Sequence, residues 1–443
     1  MDDTIFALSS GPGRAAIAVI RASGPAAAAA LAALSGAALP APRRAGLRRL
    51  KDPSSGDVLD EAIVLWLPGP RTVTGEDVVE FHVHGGRAVV AGVLEALAAC
   101  DGLRAAEPGE FTRRAFARGR MDLTQVEGLA DLIAAETAGQ RRLALAQAEG
   151  ALAARCTGWR DQLVQALALI EAEIDFSDED LPDGLGGAAM AALAAVLADM
   201  RAVLDTAPAG EIMRDGVHVA ILGPPNVGKS SLLNRLAGRQ AAIVSDISGT
   251  TRDVVEVHLD LGGIPIILAD TAGLRAAADT IEREGIARAQ ARARAADIAL
   301  WVVDLTDGGD RAAPAWPQDA TGRRLVVGNK VDCAPPQPGC DLCVSAATGA
   351  GVAQLEKWLA AAAADMAGAT GTASVIGRAR QAAALRYAVA ALARAVAADG
   401  AGREAALVGE EVRLAVRALG RLVGAVDVED VLDIIFADFC IGK

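Results

Sequence analysis

Tyrosine occurs once in this 443-residue chain and aromatic residues make up only 3% of it. That argues against wide sheets filled with bulky rings and, with alanine abundant, favours closely packed helices. Positive charge is also scarce: the formal net charge is −13, so no general attraction to nucleic-acid phosphates follows, and any RNA contact must be local or shared with a partner. No uninterrupted apolar run reaches the ~20 residues needed to span a bilayer, and the start, Met1-Asp2-Asp3-Thr4, is acidic where a secretory signal would be basic. A soluble, cytoplasmic protein with no membrane segment is expected. Six cysteines (100, 156, 333, 340, 343 and 440) are too thinly spread for a disulfide framework. Cys340 and Cys343 form a CxxC, and His82 and His84 share one strand face, but neither pair has the further ligands a metal needs. Ordinary thiols and strand residues are expected there.

What the chain has in quantity is apolar residues, 52% of the total, enough for the two or three cores its length suggests. Residues 1–118 mix short β-rich runs (15–21, 62–67, 78–83) with Gly and Pro turns and a helical stretch near 86–99, an α+β pattern. Residues 119–213 read as helical, with Leu152, Trp159, Leu163, Leu167, Ile170 and Ile174 on one face; the acidic run 175–183 reads as a solvated loop. From 214 to 368 apolar strands alternate with helices, the pattern of a doubly wound α/β domain. Helical periodicity returns over 369–443, with Val412, Val416, Leu419 and Val423 on one stripe and Val428, Val431, Leu432, Ile435 and Phe436 beyond it. Two amphipathic blocks around a self-sufficient domain suggest that they pack together, with the α/β domain inserted between them.

Within that domain the apolar run 217–222 ends in Gly223-Pro224-Pro225-Asn226-Val227-Gly228-Lys229-Ser230, followed by helical Ser231-Leu232-Leu233. Strand, GxxxxGKS and helix make a phosphate-binding loop: backbone N–H groups turn onto the phosphates, Lys229 reaches the β and γ groups, and Ser230 ligates Mg²⁺. Some twenty residues on, Ser248-Gly249-Thr250-Thr251-Arg252-Asp253 occupies the place of a first switch segment, preceded by Ser245-Asp246-Ile247 as further nucleotide-site candidates, with Thr251 as the second hydroxyl on Mg²⁺. The strand 264–269 leads into Asp270-Thr271-Ala272-Gly273, where Asp270 holds Mg²⁺ through water and the Gly273 N–H senses the γ-phosphate. Asn329-Lys330-Val331-Asp332 and Ser345-Ala346 complete the set. The Asp332 carboxylate can accept both donors on the guanine edge, whereas adenine offers neither, so GTP is the expected substrate and ATP is rejected.

Many small GTPases place a Gln after DxxG to hold the attacking water, but here the residue is Leu274, and no arginine finger is evident. The Asn226 side chain, with backbone carbonyls of 245–250, can cage a monovalent cation such as potassium; it can equally be a turn residue, since Asn tolerates unusual backbone angles.

Several further motifs carry a family resemblance: Gly11-Pro12-Gly13-Arg14, Ile20-Arg21-Ala22-Ser23-Gly24, Thr74-Gly75-Glu76-Asp77, His84-Gly85-Gly86, Pro108-Gly109-Glu110-Phe111-Thr112-Arg113-Arg114-Ala115-Phe116 and the ending Phe439-Cys440-Ile441-Gly442-Lys443. With the GTPase motifs, the chain resembles, nearly end to end, the MnmE (TrmE) family of bacterial tRNA modification GTPases, among the TrmE-Era-EngA-like GTPases. The resemblance implies a P-loop GTPase domain inserted into an α-helical domain, preceded by an α+β domain that binds 5-formyl-tetrahydrofolate and forms a homodimer. It implies a folate site at Arg21, Glu80, Arg120 and Lys443, with Arg120 standing where the family commonly has Lys, so that charge is kept but geometry is not. Potassium ligands at Asn226, Ser245, Ile247 and Thr250 are likewise implied, as is a water-orienting carboxylate at Glu282. Asp279-Thr280-Ile281-Glu282 also reads as a helix-capping box, and both roles can hold at different stages. The function implied is a (carboxymethyl)aminomethyl modification at C5 of the wobble uridine of certain tRNAs, with the flavoprotein MnmG (GidA) as partner in a heterotetramer, and Cys440 is expected close to the folate. The alternative is a ribosome-assembly GTPase, which should carry a basic RNA-binding domain that the sequence does not display.

Overall fold

The computed structural model describes residues 3–175, 185–239, 256–270, 294–307, 322–368, 374–399, 405–426, 435–436, 439 and 442. Two compact units emerge, Met1–Ala130 with Gly420–Lys443, and Asp131–Leu419.

The first unit is built on six strands: β1 (Thr4–Leu8), β2 (Ala15–Ser23), β3 (Ala45–Lys51), β4 (Val58–Leu67), β5 (Val78–Gly85) and β6 (Leu103–Ala105). They form one sheet in the order β3-β4-β5-β2-β1-β6, antiparallel except for the β1–β6 pair. Because strand side chains alternate between faces, Ile20, Ala22, Phe81 and Val83 point to one side. There they join Leu31 and Leu34 of α1 (Ala27–Ser35) and Val93 and Leu97 of α2 (Arg87–Ala98) in one core. On the other face Ile5 and Ala7 bury Phe111 of α3 (Glu110–Ala117). In the same unit Phe436 and Phe439 pack with Leu123 and Val126 at the start of α4 (Leu123–Ala134), anchoring the end of the chain. His84 bonds Asp60 at 2.8 Å and His82 lies 3.2 Å from Glu80, so both histidines are engaged as strand residues.

The second unit holds α5 (Ala138–Ala148), α6 (Ala151–Asp175), α7 (Leu185–Asp205) and α8 (Ala207–Asp215), then an α/β region, then α11 (Ala379–Asp399) and most of α12 (Ala405–Val423). Leu152, Trp159, Leu163 and Ile170 are buried as the spacing predicts, while Leu167 is half-buried and the Ile174 side chain lies outside the described residues. The indole N–H of Trp159 donates to Asp199 across the α6–α7 contact at 2.7 Å, so its burial leaves no orphan donor. Helix α6 runs through Asp175, so the acidic run starts inside a helix; 176–183 lie outside the described residues. On α12 the buried stripe is Val408, Val412, Ala415, Leu419 and Leu422, with Val416 and Val423 half-buried. The expected stripe is therefore rotated by part of a turn toward the small Ala415 and Ala418, which permit close approach of neighbouring backbone. The stretch Gly186–Asp215 is long and apolar enough on average to cross a membrane. It is not an uninterrupted apolar run, since it contains Asp199, Arg201 and Asp205, and it divides at Thr206 between α7 and α8.

The α/β region comprises β7 (Val217–Leu222), α9 (Lys229–Arg239), β8 (Glu256–Leu261), β9 (Ile264–Asp270), β10 (Ile298–Asp304), β11 (Arg323–Asn329), β12 (Leu342–Cys343) and α10 (Val352–Met366). Its sheet runs β12-β11-β10-β7-β9-β8, all parallel but for the β8–β9 hairpin. Strand order reverses around β7, and in open parallel sheets the crevice at such a switch point, beyond the carboxyl ends of the strands, is where ligands bind.

Candidate functional site

The loop leaving β7 is shaped for close backbone approach. Asn226 takes a left-handed φ of 62° and Gly228 a φ of 94°; a Cβ on Gly228 would lie 2.3 Å from Asn329 Nδ2. Glycine is required there because another part of the site already fills the space. The Lys229 ammonium folds over the loop, donating to the Gly223 and Pro224 carbonyl oxygens at 2.9 and 2.7 Å. Ser230 and Ser231 open α9 beside it, and Val227 is buried beneath. Asn226 is exposed, and its side chain makes no hydrogen bond to a described residue.

Asn329 ties this loop to the one that would read the base. It is 2% exposed; its Nδ2 donates to the Val227 carbonyl oxygen at 2.7 Å, and its Oδ1 accepts from the Ala346 N–H at 3.0 Å. The Ser345 N–H donates to the Ala350 oxygen at 2.8 Å and its hydroxyl accepts from the Thr348 N–H at 3.0 Å, so the Ser345-Ala346 turn is rigid from both sides. Arg235 on α9 adds a donor to the Ala346 oxygen at 2.9 Å. Lys330, at φ 66°, pairs with Asp304 at the end of β10. Burial pushes the Asp304 carboxyl up, but hydrogen bonds from Lys330 and Thr306 outweigh it and hold the group below the ordinary carboxylate range. Asp332 stands exposed at the rim, its carboxyl held low by hydrogen bonds from Ser345 and then Cys333, whose Sγ donates at 3.3 Å. An ionised, outward-facing acceptor is what recognition of paired N–H donors requires.

The first unit carries a second constellation. Arg21 on β2 and Glu80 on β5 are cross-strand partners, joined at 3.1 and 2.8 Å, with the guanidinium 5.9 Å from the Phe111 ring centroid. Two residues along the same face, Ser23 donates to Glu76 at 2.7 Å; Arg114 and Arg118 also bond Glu76, so this carboxylate is buried with its charge paired. The Ser9 hydroxyl donates to the Gly442 carbonyl oxygen at 2.8 Å. With Leu8 opposite Ile20 and Ala7 opposite Arg21 in the β1–β2 register, Gly442 is held at Ser9, two residues along β1's line from Arg21's own row.

The family model for the "MnmE helical domain" matches residues 123–440, and that for the "GTP-binding protein TrmE N-terminus" matches 4–120. The chain is 55% identical over 443 residues to "tRNA modification GTPase MnmE" of Parvibaculum lavamentivorans, covering all of both chains. The chain belongs to the MnmE family of tRNA modification GTPases. The Paramagnetospirillum magneticum member is 52% identical, again over all of both chains; the Rhodopseudomonas palustris (strain BisB18) member is 50% identical over 99% of each. Among solved structures, Aquifex aeolicus Era is 29% identical over 32% of this chain and 56% of its own, with a TM-score of 0.26, a local likeness only.

Asn329 joins the loop that carries Asn226, Val227, Gly228, Lys229, Ser230 and Ser231 to the Ser345-Ala346 turn, and Lys330 and Asp332 follow it directly in the chain. Asp270 ends β9, the strand beside β7, with its side chain outside the described residues. Ser245 to Thr251, Thr271 to Gly273, Glu282, Cys440 and Lys443 also lie outside them. Arg21 and Glu80 meet; Arg120 lies beside Gly75. Asp304 and Arg235 went unnoticed in the sequence. The available signal for Asp304 was an apolar strand, 298–303, ending in a carboxylate at the level where the neighbouring strands deliver their loops.

Proposed function

We propose that this protein is a potassium-dependent GTP hydrolase that acts with MnmG, as a homodimer within a larger assembly, in the cytoplasm. It would install a (carboxymethyl)aminomethyl group at C5 of the wobble uridine of certain tRNAs. The observation that carries the GTPase part is the buried Asn329 bridge, which makes phosphate loop and base loop one rigid body; end-to-end identity with MnmE relatives supports the tRNA part. In domain terms, 1–118 would bind folate and dimerise, 119–213 and 369–443 would form the helical domain, and 214–368 the GTPase domain.

The residues present fit the groups this reading needs. Ser230 and Thr251 would hold Mg²⁺ directly and Asp270 through water, while Lys229 neutralises charge developing on the β–γ bridge. Asn226, with Ser245, Ile247 and Thr250, would hold potassium; its exposed side chain, unbonded to described residues, leaves the amide oxygen available. The cation would then stand where an arginine finger stands elsewhere, and Glu282 would orient the attacking water. In the first unit Arg21 and Glu80 would bind a folate ring edge over Phe111, with Arg120 and Lys443 completing the contact. The bound 5-formyl-tetrahydrofolate supplies the one-carbon unit.

The test is GTP turnover at equal ionic strength in potassium and in sodium, for the wild type and Asn226→Ala. Loss of one charge-stabilising contact of ~1.4 kcal/mol or more predicts at least a roughly tenfold advantage for potassium, abolished in the variant. Equal rates in both salts would refute the potassium assignment. A normal potassium response with no binding of 5-formyl-tetrahydrofolate would favour the ribosome-assembly alternative.

A further inference from the structure

The net charge of −13 conceals one strongly basic strip. Residues 43–51 carry five basic side chains, Arg43, Arg44, Arg48, Arg49 and Lys51, and no acidic one. They lie on or just before β3, the edge strand of the first unit's sheet. All but the half-buried Arg48 are exposed, and Arg71 adjoins them, its carbonyl oxygen accepting from Arg43 at 2.5 Å. Among the described residues none of these six side chains forms an ion pair; Arg43 and Arg48 donate only to backbone carbonyls. Nearby acids compensate little. Glu61 stands opposite Arg49, Asp60 is taken up by His84, and Asp52 and Asp57 are bonded within the turn beyond Lys51.

Like charges gathered on an exposed edge repel one another, and a polyanion relieves that repulsion while releasing its own counterions. Arg49 and Lys51 lie two residues apart, about 6.7 Å along an extended strand, of the order of the step between successive phosphates. The strip also has a fixed relation to the Arg21–Glu80 pair. Ala45, Leu65, Glu80 and Arg21 form one cross-strand row, so β3 lies three strand spacings, ~14 Å, from β2. Leu47 on β3 and its cross-strand partner Ile63 on β4, 61% and 47% exposed, offer apolar surface on which a base can rest.

We propose that the β3 edge grips the phosphate backbone of the RNA substrate, while an unstacked nucleotide crosses the Leu47–Ile63 surface toward Arg21 and Glu80. This rests on tRNA being the substrate, as proposed above. Enzymes that modify a base take it out of its stack, and an anchor one nucleotide's reach from the reaction centre serves that step.

The experiment measures binding of labelled tRNA to the full-length protein across a salt series, for the wild type and for R44Q/R49Q/K51Q. Three lost phosphate contacts predict a salt slope shallower by about 2–3 and affinity at least roughly tenfold weaker near 0.1 M salt. GTP turnover, 5-formyl-tetrahydrofolate binding and melting temperature stay unchanged, and R44K/R49K binds as the wild type does. Should the triple variant not fold, Arg44→Gln and Arg49→Gln singly should each lower the slope by about one. Wild-type binding with no change of slope in the variants overturns this proposal alone; a wild type that binds no tRNA overturns the tRNA reading with it. Displacement of the protein onto anionic vesicles, or loss of the dimer in the variants with tRNA affinity intact, would assign the strip to lipid or to a second copy.

Discussion

Replacing Asn329 with alanine removes two buried hydrogen bonds at once, leaving the Val227 carbonyl oxygen and the Ala346 N–H without partners. Each stranded group costs ~1–3 kcal/mol, and some of that is recovered if water enters the gap, so ~2–4 kcal/mol is expected in total. The loss falls on the two loops proposed to hold opposite ends of the nucleotide, and GDP affinity should therefore drop by roughly 30- to 1,000-fold. Fluorescent-nucleotide displacement gives the affinity, and a thermal melt apportions what remains to stability. Asn329→Asp sharpens the test. It keeps an acceptor for the Ala346 N–H but sets a carboxylate oxygen against the Val227 carbonyl, so it should be at least as damaging as alanine although its volume is nearly unchanged. If either variant bound GDP within about threefold of the wild type, with a melting temperature shifted by no more than about 1 °C, the bridge would not be what aligns the two loops.

Asp332→Asn exchanges an acceptor for a mixed amide; if Asp332 reads guanine as proposed, two charge-assisted bonds are lost and GTP affinity should fall by roughly 10²–10⁴-fold. Binding of xanthosine triphosphate should improve, because the amide can donate to its 2-oxo group, and a competition assay between the two nucleotides checks both. Gly442→Ala would place a Cβ 2.0 Å from the Leu8 oxygen at a φ of 97°, so the tail should undock at a cost of ~1–3 kcal/mol. Limited proteolysis should then remove the last residues faster, and 5-formyl-tetrahydrofolate should bind more weakly, with GTP turnover unaffected.

The nucleotide loops were legible in the sequence because their chemistry is local. A GxxxxGKS between strand and helix admits few conformations, and the left-handed Asn226 and tight Gly228 are consequences of residue type. Family likeness points to Arg21 and Glu80 as individual residues, whereas their pairing across two strands depends on register. Periodicity of bulky side chains marks Val412, Val416, Leu419 and Val423 on α12, whereas the buried face turns toward Ala415 and Ala418, which that periodicity does not register.

What the sequence determined by itself is the set of reacting groups and their order: strand, phosphate loop, base-reading loop, and the charge and size of each side chain. Tertiary structure decided which of them meet. Asn329 reaches a carbonyl 102 residues away, Asp304 neutralises Lys330 from a neighbouring strand, and the basic run 43–51 becomes an accessible edge only because β3 is outermost in its sheet. Such encounters follow from strand order and register, which are set by the burial of whole faces and so cannot be read from any local stretch of residues.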